Sequence, residues 1–531
     1  MEKEKNSENS RVARAAGVVG SATMASRVFG FLRDMVVAGF FGAGQATDAF
    51  FVAFRIPNLL RRLLAEGSLT VSFVPVFTEY LKKKSKEEAF ELANIAFTAL
   101  SIILVVVSLL GVLLSPLIVT IMAPGFTKVP PQYDLTVLLT RFMFPYIFFI
   151  SLVALCMGIL NSLRHFAAPA LSPVILNISM ILAALTLRGL FREPIFALAI
   201  GVMIGGILQL AMQWPFLVKM GLRIRPNFKF RHPGIRQIGR LLIPTFIGSA
   251  VYQINVFIGT ILASLLPKGS VSYLYYADRI VELPLGVFAI AVGTAVLPSF
   301  SEQVSTEDFE SLKKTISFSL RLIFFITIPA ATALISLREP IISVLFQRGA
   351  FDAQSTILTA QALFYYAVGL WAFSVIRVID AVFFSLQDRK SPLKAAFVAL
   401  FVNVIFSIIL MFPLKHGGLA LATSIASATN VTMLAVILRR KIGQFLDREF
   451  YRSLFKVSLS SLAMWTAIML VTYILPWEIE GPFSEKLLHL ITCIAVGMAT
   501  FSISSFMIKS PEIKMVGDVV KRRIDGLKFL R

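Results

Sequence analysis

The chain has 531 residues, of which 57% are hydrophobic and only 15% are charged, and its formal net charge is +21. Soluble globular proteins carry about 25% charged residues, so this composition excludes that class and indicates a polytopic membrane protein. The only two cysteines, Cys156 and Cys493, lie in apolar runs. They offer neither a disulfide framework nor a CxxC metal site, and redox chemistry is not expected.

Apolar runs of helical length follow one another along the chain and predict an all-α fold, because barrel strands would alternate apolar and polar residues. The first fifteen residues are polar and no signal-peptide cleavage site follows, so the first helix is expected to stay in the membrane. Fourteen crossings are predicted, at about 16–41, 46–80, 91–123, 135–161, 167–187, 194–218, 236–266, 271–301, 315–337, 356–386, 392–412, 418–438, 455–475 and 487–508.

Basic residues are distributed unevenly between the two sets of connections. The set that includes both termini carries 34 lysines and arginines, whereas the opposite set carries eight. The positive-inside rule therefore predicts that both termini are cytoplasmic. The high net charge is explained by loops that face an anionic leaflet, so nucleic-acid binding is not expected.

Three stretches recur at a constant offset of 223 residues and indicate an internal duplication. Residues 72–79 resemble 295–302, residues 162–169 resemble 385–392, and residues 197–199 resemble 420–422. Each repeat holds six crossings, an even number, so the two lobes should share one membrane orientation, with substrate sites expected at the repeat interface. The predicted fold is therefore two pseudo-symmetric six-helix lobes around a central cationic cavity, plus two extra C-terminal helices.

The predicted domains follow from this duplication. They are an N-terminal cytoplasmic tail (1–15), an N-lobe (16–219), a cytoplasmic loop (220–235), a C-lobe (236–441), helices 13 and 14 (442–508) and a basic cytoplasmic tail (509–531).

Arginine, and never lysine, interrupts the apolar segments. A guanidinium stays protonated and offers a planar fork of donors that matches phosphate or carboxylate oxygens, so this bias points to an anionic ligand in a water-accessible cavity. Each such charge costs about 2.5–3.5 kcal/mol at the bilayer centre and therefore needs an explanation. The nine positions are Arg27, Arg33, Arg55, Arg61, Arg62, Arg141, Arg279, Arg321 and Arg377.

Structural ion pairing is the alternative explanation, because three of these arginines have an acid one helical turn away: Arg62 with Glu66, Arg279 with Glu282, and Arg377 with Asp380. Pairing is favoured for Arg62 and Arg377. Arg27 and Arg33 lack such an acid, and Arg33 and Asp34 should point about 100° apart on a helix, so a ligand role is favoured for them. Arg141 and Arg321 lie near helix starts and are expected to reach the interface.

Catalytic motifs are lacking. The four histidines are scattered without metal-ligand spacing, and the sequence has no Walker loop and no GxSxG elbow. The expectation is a transporter with no ATPase motif, no cofactor and no metal site.

Several segments resemble the bacterial lipid II flippase family MurJ, also called MviN. They are SRVFGFLRD (26–34), FGAGQATDAFFVAFRIPNLLRRLLAEGS (41–68), SFVPVF (72–77), YYADRIVELPLGVF (275–288) and AVGTAVLPSF (291–300). The family is part of the multidrug/oligosaccharidyl-lipid/polysaccharide exporter superfamily. The resemblance implies fourteen helices and export of undecaprenyl-diphosphate-linked disaccharide-pentapeptide to the outer leaflet for peptidoglycan assembly.

By motif, the resemblance implies substrate-binding roles for Arg27, Arg33, Arg61 and Arg279 and implicates Asp48. It also implies that helices 13 and 14 form a groove for the polyprenyl tail. Sodium-coupled members place carboxylates on helices 7 and 11. This chain has Gly259 and Ser407 in those regions, which leaves Asn403 and Thr423 as a neutral, weak cation site.

The hypothesis is that the diphosphate of lipid II docks on the four arginines and that the lobes then alternate access to the two leaflets, while Asp34, Asp48 and Glu66 exchange arginine partners. Expected partners are lipid II, membrane lipids and the peptidoglycan-synthesis machinery, and the expected form is a monomer in the bacterial inner membrane. The alternatives are a flippase for another polyprenyl-diphosphate-linked oligosaccharide, a drug exporter, a polyprenyl-phosphate transferase and a scaffold. An exporter of organic cations would need acidic and aromatic cavity residues instead.

Overall fold

A computed structural model describes the backbone of residues 2–61 and 69–513. For residues 2–16, 18, 60, 61, 70 and 244–252 only the backbone is described. Within these ranges the chain is helical and contains no strand. The all-α membrane architecture predicted from the apolar runs is therefore confirmed.

Internal contacts divide the chain into two compact units, the first of which comprises the residues up to Ser272 together with Arg348–Ala350. Its helices are α1 (Glu2–Phe41), α2 (Gln45–Arg61), α3 (Thr70–Lys83), α4 (Lys86–Leu113), α5 (Ser115–Met122), α6 (Pro130–Met143), α7 (Tyr146–Ser162), α8 (Ala167–Leu187), α9 (Phe196–Lys219) and α10 (Pro233–Ser264).

The second unit contains the rest of the chain from Tyr273 onwards. Its helices are α11 (Ser270–Pro284), which begins within the first unit, α12 (Ile290–Ser305), α13 (Phe309–Ser336), α14 (Arg338–Phe346), α15 (Ala353–Val368), α16 (Leu370–Ser385), α17 (Lys390–Leu414), α18 (His416–Ile442), α19 (Arg448–Ile474) and α20 (Phe483–Met507). This division groups α10 with the first unit, although the sequence repeat assigns that segment to the second lobe. The lobe boundaries stay a prediction.

The helix boundaries repeat along the chain at the offset seen in the sequence. Helix α4 (Lys86–Leu113) and helix α13 (Phe309–Ser336) are both 28 residues long and stand 223 positions apart at each end. Their N-terminal caps, Ser85 and Asp308, are also 223 positions apart, and each accepts a hydrogen bond from the backbone three residues later. The duplication found in the sequence is therefore also present in the helix boundaries and in the N-terminal capping residues.

The cores of the two units repeat in the same way. In the first unit Phe77, Ala93 and Leu155 are buried together between α3, α4 and α7. The residues 223 positions later, Phe300, Ile316 and Val378, are buried together in the core of the second unit. Burying apolar side chains at equivalent positions gives each unit its own packed interior, beyond what lipid contact alone would provide.

Ten helices in the described part of the chain are long and apolar enough to cross a membrane, and the bent pair α15 and α16 makes up to eleven. The predicted total of fourteen is therefore not confirmed by this criterion. Three predicted crossings, 16–41, 46–80 and 236–266, do not meet it, although α1, α2, α3 and α10 lie there. Helix α1 carries Arg27, Arg33 and Asp34, which lower its mean hydropathy. Helices α2 and α3 are only 17 and 14 residues long, and the apolar stretch found in α10 is the short segment Gln253–Ser264.

Two predicted single helices are interrupted at a proline. The predicted crossing 91–123 consists of α4 and α5, with Pro116 in the first turn of the second helix. The crossing 135–161 consists of α6 and α7, and α7 begins directly after Pro145. Proline lacks the backbone donor that the preceding turn requires, and at these two positions the helix restarts.

Arg321 ties α13 to α19 and to the segment after α20. Its guanidinium lies 2.8 Å from Glu449 and 3.8 Å from Glu512. Ser453 donates a hydrogen bond of 2.8 Å to Glu512, which is buried. Arg321 is thus part of an ion-pair network that holds the last two helices. The prediction that it lies near a helix start and reaches the interface did not include these partners.

Asp388, in the turn between α16 and α17, is expected to make folding stability pH-dependent. Burial raises the pKa of this carboxyl, but hydrogen bonds from Ser391 and Lys441 outweigh burial and hold the pKa well below its usual value of 3.8. The carboxylate therefore stabilises the fold fully above pH 3.8, and this stabilisation is lost as the pH falls through the lower folded-state pKa.

For this reason we expect Asp388→Asn to lower the melting temperature at pH 7 by about 1–3 °C. The difference from the unmodified protein should narrow as the pH falls below 3.8. Thermal unfolding of both proteins in detergent at a series of pH values measures this difference in melting temperature. A difference that stays constant down to the lowest pH at which the protein folds would contradict the assignment.

Candidate functional site

The predicted site residues are distributed over helices of both units. Arg27, Arg33 and Asp34 lie on α1, Asp48 lies in the first turn of α2, and Arg279 lies on α11. Arg61 ends α2, but its side chain is outside the described residues, and so is the whole of Glu66. The prediction that Arg62 pairs with Glu66 likewise falls outside them.

Arg33 is the centre of a buried polar cluster on α1 and α8. Its Nη2 and Nε donate to one carboxylate oxygen of Asp34 at 2.6 and 3.0 Å. Its Nη1 donates to the side-chain oxygen of Asn177 at 3.0 Å, and the amide of Asn177 donates to the backbone oxygen of Ser26 at 3.2 Å. Arg33 and Asp34 are both almost fully buried, at 6% and 2% exposure.

This geometry corrects the sequence-based argument that local pairing could not account for Arg33. On an ideal helix the Cα–Cβ bonds of neighbouring residues point about 100° apart. A long arginine side chain can curl back to its neighbour, and burial favours this because an unpaired charge would be costly there. Sequence reasoning also missed Asn177, whose only signal was being a lone amide in the apolar run of α8.

Arg279 is paired within its own helix. Its guanidinium lies 2.7 Å from Glu282, and two of its nitrogens lie 3.3 and 3.4 Å from the hydroxyl of Tyr275. The guanidinium also lies 5.2 Å from the centre of the Tyr275 ring, within cation–π range. The spacing of three residues therefore does produce an ion pair, which was the alternative for this arginine.

Arg377 does not form the ion pair that its spacing to Asp380 predicted. Within the described residues, no carboxylate lies within 4.0 Å of its guanidinium, and the side chain is exposed. The backbone of Arg377 instead lies against Gly293 of α12, where an added Cβ would stand 3.0 Å from the carbonyl oxygen of Arg377. A close helix contact therefore constrains the position of Arg377, and the charge stays accessible.

Arg27 differs from the other candidate cations on these helices. It is half-buried, and no acid in the described part of the chain lies within 4.0 Å of it. A guanidinium without a carboxylate keeps its five donors available for an anion. Arg55, in contrast, donates to the hydroxyl of Thr260 on α10 at 2.7 Å.

Asp48 caps the N-terminal end of α11. Its two oxygens accept hydrogen bonds from the backbone of Gly269 at 2.6 Å, from the backbone of Ser272 at 2.8 Å, and from the hydroxyl of Ser272 at 2.6 Å. The residue is 2% exposed. A carboxylate in this place satisfies two backbone donors and interacts favourably with the helix dipole. Asp48 is thus bound to a helix end in this conformation, and its predicted exchange with arginines stays a prediction.

Glycines allow the backbone to approach closely at the same end of the first unit. The backbone N–H of Ala350 donates to the carbonyl of Gly39 at 2.9 Å. A Cβ added to Gly42, whose φ is +65°, would overlap the carbonyl of Ala350, and a Cβ added to Gly125 would overlap the carbonyl of Ser264. Together with Asp48, these contacts pack the backbone closely at this end of the first unit, and we call Gly42 and Gly125 with their partners the glycine seal.

Asn403, Ser407 and Thr423, the neutral side chains considered as a weak cation site, form hydrogen bonds with one another. Ser407 donates to the side-chain oxygen of Asn403 at 3.0 Å, and the amide of Asn403 lies 3.4 Å from the hydroxyl of Thr423. These three side chains contribute no carboxylate. Oxygen ligands without charge bind a monovalent or divalent cation weakly, so they make a poor sodium site.

Most of the chain matches a known protein family and its members. The family model described as "Lipid II flippase MurJ" matches residues 37–488. A probable lipid II flippase MurJ from Buchnera aphidicola subsp. Acyrthosiphon pisum is 36% identical over 474 residues, covering 89% of this chain and 92% of that protein. The corresponding protein from Vibrio cholerae is 34% identical over 498 residues, covering 92% and 95% of the two chains.

Solved structures give the same result for the fold. The chain is similar to a structure of a lipid II flippase MurJ in an inward closed conformation, with a TM-score of 0.77 and 29% identity, covering 92% of this chain and 99% of that one. It is also similar in fold to an inward-facing multidrug resistance MATE family transporter, with a TM-score of 0.64 and 15% identity, covering 81% and 98%.

Proposed function

The chain belongs to the MurJ family of lipid II flippases, and from that membership we propose that it moves lipid II from the cytoplasmic to the outer leaflet of the bacterial inner membrane. The observation that carries this proposal is the match over residues 37–488 combined with relatives that align over about nine-tenths of the chain. The protein is a transporter, and it crosses the membrane many times.

The chemistry of the cargo suits the arginines. Lipid II carries a diphosphate between its polyprenyl tail and its sugar-peptide head, and guanidinium groups bind phosphate oxygens through paired donors. We assign this contact to Arg27, Arg33, Arg61 and Arg279. Arg27 is available at once in the described conformation, whereas Arg33 and Arg279 are held by Asp34 and Glu282.

This pairing supports a mechanism of partner exchange. A diphosphate that draws Arg33 or Arg279 away from its carboxylate replaces one charge-assisted contact by another. Because the diphosphate brings its own negative charge, the released Asp34 or Glu282 needs a new partner. A ligand shifts a conformational equilibrium only by its differential affinity for the two states. The cargo therefore drives alternating access if the arginines reach the diphosphate in one state better than in the other.

Orientation follows from the loop charges. The set of connections that includes both termini carries 34 basic residues against eight on the other set, so we place both termini in the cytoplasm. The glycine seal and the Asp48 cap then lie at the outward end, since the connection between α1 and α2 is the first on that side.

The test is translocation of labelled lipid II by the purified protein in liposomes. We expect transfer of label to the opposite leaflet without ATP, at a rate at least about tenfold above protein-free liposomes. Arms with imposed sodium, proton and voltage gradients identify the energy source, and a sodium requirement would contradict the weak-site assignment at Asn403.

Control cargoes separate the rival functions. Undecaprenyl-diphosphate carrying an unrelated oligosaccharide distinguishes a lipid II flippase from a flippase for another oligosaccharide. Chemical change of the lipid without transfer between leaflets would indicate a polyprenyl-phosphate transferase and would overturn the proposal. Activity at one protein per liposome would support the predicted monomer, and contact with the synthesis machinery stays a prediction.

A further inference from the structure

Residues 222–232, between α9 and α10, form a surface that the transport mechanism does not use, and we call them the basic loop. Four of its basic side chains, Arg223, Arg225, Lys229 and Arg231, are exposed. We propose that the basic loop is a binding site for the headgroups of anionic phospholipids, with Phe228 inserted among their acyl chains. The cytoplasmic location of these lipids rests on the orientation given under the proposed function.

The loop is fastened along the side of a membrane-spanning helix. The backbone N–H of Arg225 donates to the side-chain oxygen of Asn94 at 3.1 Å, and that of Asn227 donates to the hydroxyl of Thr98 at 3.0 Å. Both acceptors lie on α4, which begins at Lys86. At 1.5 Å per residue, Asn94 and Thr98 stand about 12 and 18 Å from the start of that helix.

This depth places the tip of the loop next to the hydrocarbon. After Thr98, α4 continues to Leu113 without a charged residue, and Ile102, Ile103 and Val106 on it are exposed, as expected of a lipid-facing surface. Phe228 directly follows the residue that bonds to Thr98. An aromatic ring at this boundary gains free energy by burial in lipid.

The exposure of the aromatic residues has no explanation within the protein. Phe228 is 67% exposed and Phe230 is 43% exposed, and their rings make an edge-to-face contact with centroids 6.0 Å apart. Lysine, phenylalanine and arginine side chains of the loop line one shallow concavity together with His232. Exposed rings beside cations are what an interfacial lipid site requires, because the rings take the tails and the cations take the phosphates.

Most of the positive charge of the loop is available to a ligand. Lys229 is neutralised by Glu91 of α4 at 2.8 Å. Among the described residues no acid lies within 4.0 Å of Arg223, Arg225 or Arg231. Basic residues next to a membrane attract anionic lipids, and guanidinium groups can also bind phosphate bidentately.

The second unit offers an internal comparison. There the connection between α18 and α19 covers only residues 443–447, and its phenylalanine, Phe445, is 5% exposed in the core. Basic residues flank that connection, with Arg439 and Arg440 at the end of α18 and Arg452 in α19, and all three are exposed. Charge is thus common to both units, whereas an exposed aromatic tip fixed along a spanning helix is found in the basic loop.

Membrane depth tests the position of the loop. Phe228→Cys is spin-labelled in the full-length protein, whose native Cys156 and Cys493 are both buried, and Gln444→Cys provides the exposed reference. In nanodiscs of phosphatidylcholine with phosphatidylglycerol, we expect the label at 228 to collide with oxygen more than with a water-soluble nickel chelate, and the label at 444 to show the reverse. Equal access of the nickel chelate to both labels would overturn the proposal.

Lipid retention tests the charge. The triple variant Arg223→Gln, Arg225→Gln, Arg231→Gln should retain phosphatidylglycerol at least about fivefold less than the unmodified protein after purification, measured by mass spectrometry of bound lipid. The matched triple variant Arg439→Gln, Arg440→Gln, Arg452→Gln should retain it normally. Equal retention by all three proteins, or binding of a soluble protein to the loop with the label at 228 in water, would overturn the proposal. Neither readout requires translocation, so a failure here is distinguishable from a failure of the flippase assignment.

Discussion

Asp48→Ala is expected to lower the rate of lipid II translocation at least about tenfold, because the substitution removes three short hydrogen bonds to a charged acceptor. In the folded protein those bonds hold Gly269 and Ser272 at the N-terminus of α11. Without the carboxylate, two buried backbone donors lose their partner, and the packed arrangement at this end of the first unit loses stability relative to a looser one. Rates in proteoliposomes measure the effect.

Graded substitutions separate the cap from general damage. Asp48→Asn keeps one oxygen acceptor and should lose less activity, and Ser272→Ala removes one of the three bonds and should lose least. Asp134→Asn, on the exposed first turns of α6, removes a carboxylate without a partner among the described residues and should be neutral. Full activity of Asp48→Ala would show that the cap is not needed for transport.

The accessibility of a cysteine beside the cap shows whether loss of Asp48 opens this end of the protein. Val271 is 2% exposed beside the cap, and the native cysteines are buried, so Val271→Cys reports opening at that end. We expect an impermeant maleimide added outside cells to label Val271→Cys slowly on its own and several times faster in combination with Asp48→Ala. Unchanged labelling would mean that Asp48 stabilises the fold without controlling the accessibility of Val271.

Much of the fold is readable in the sequence because duplication leaves several independent signals. The offset of 223 residues found from short motifs recurs in the ends of α4 and α13 and in their capping residues. The breaks within the predicted helices were less visible, although Pro116 and Pro145 mark two of them. Proline occurs both at breaks and inside continuous helices such as α9, so its presence alone does not decide the outcome.

The site was predictable in residue type but not in pairing. Spacing found the pair of Arg279 with Glu282, since a helix fixes residues three apart on one face. Spacing failed for Arg377, which lies free of Asp380, and for Arg33, which bonds to its immediate neighbour. The tertiary packing around a long side chain determines its hydrogen-bond partners. For Arg33 that packing includes Asn177 on α8, which the spacing along α1 does not reveal.

Arg27→Ala is expected to lower translocation about 10- to 100-fold, the range for losing charge-assisted hydrogen bonds to a phosphate. Arg27 has no carboxylate within 4.0 Å in the described part of the chain, so its removal leaves no acid unpaired there. The loss should therefore come from the ligand, with expression and melting temperature unchanged. Arg27→Lys keeps the charge but not the planar fork, and should recover part of the activity.

Variants of Arg279 and Arg141 serve as controls for Arg27→Ala. Arg279→Gln also leaves Glu282 without its cation, so its loss should be relieved in part by adding Glu282→Gln, whereas no second-site acid should rescue Arg27→Ala. Arg141→Ala, on the exposed side of α6, removes another arginine of the first unit with no acid in reach among the described residues, and should be nearly silent. If Arg27→Ala supports normal export, or if Arg141→Ala is equally harmful, a diphosphate contact at Arg27 is wrong.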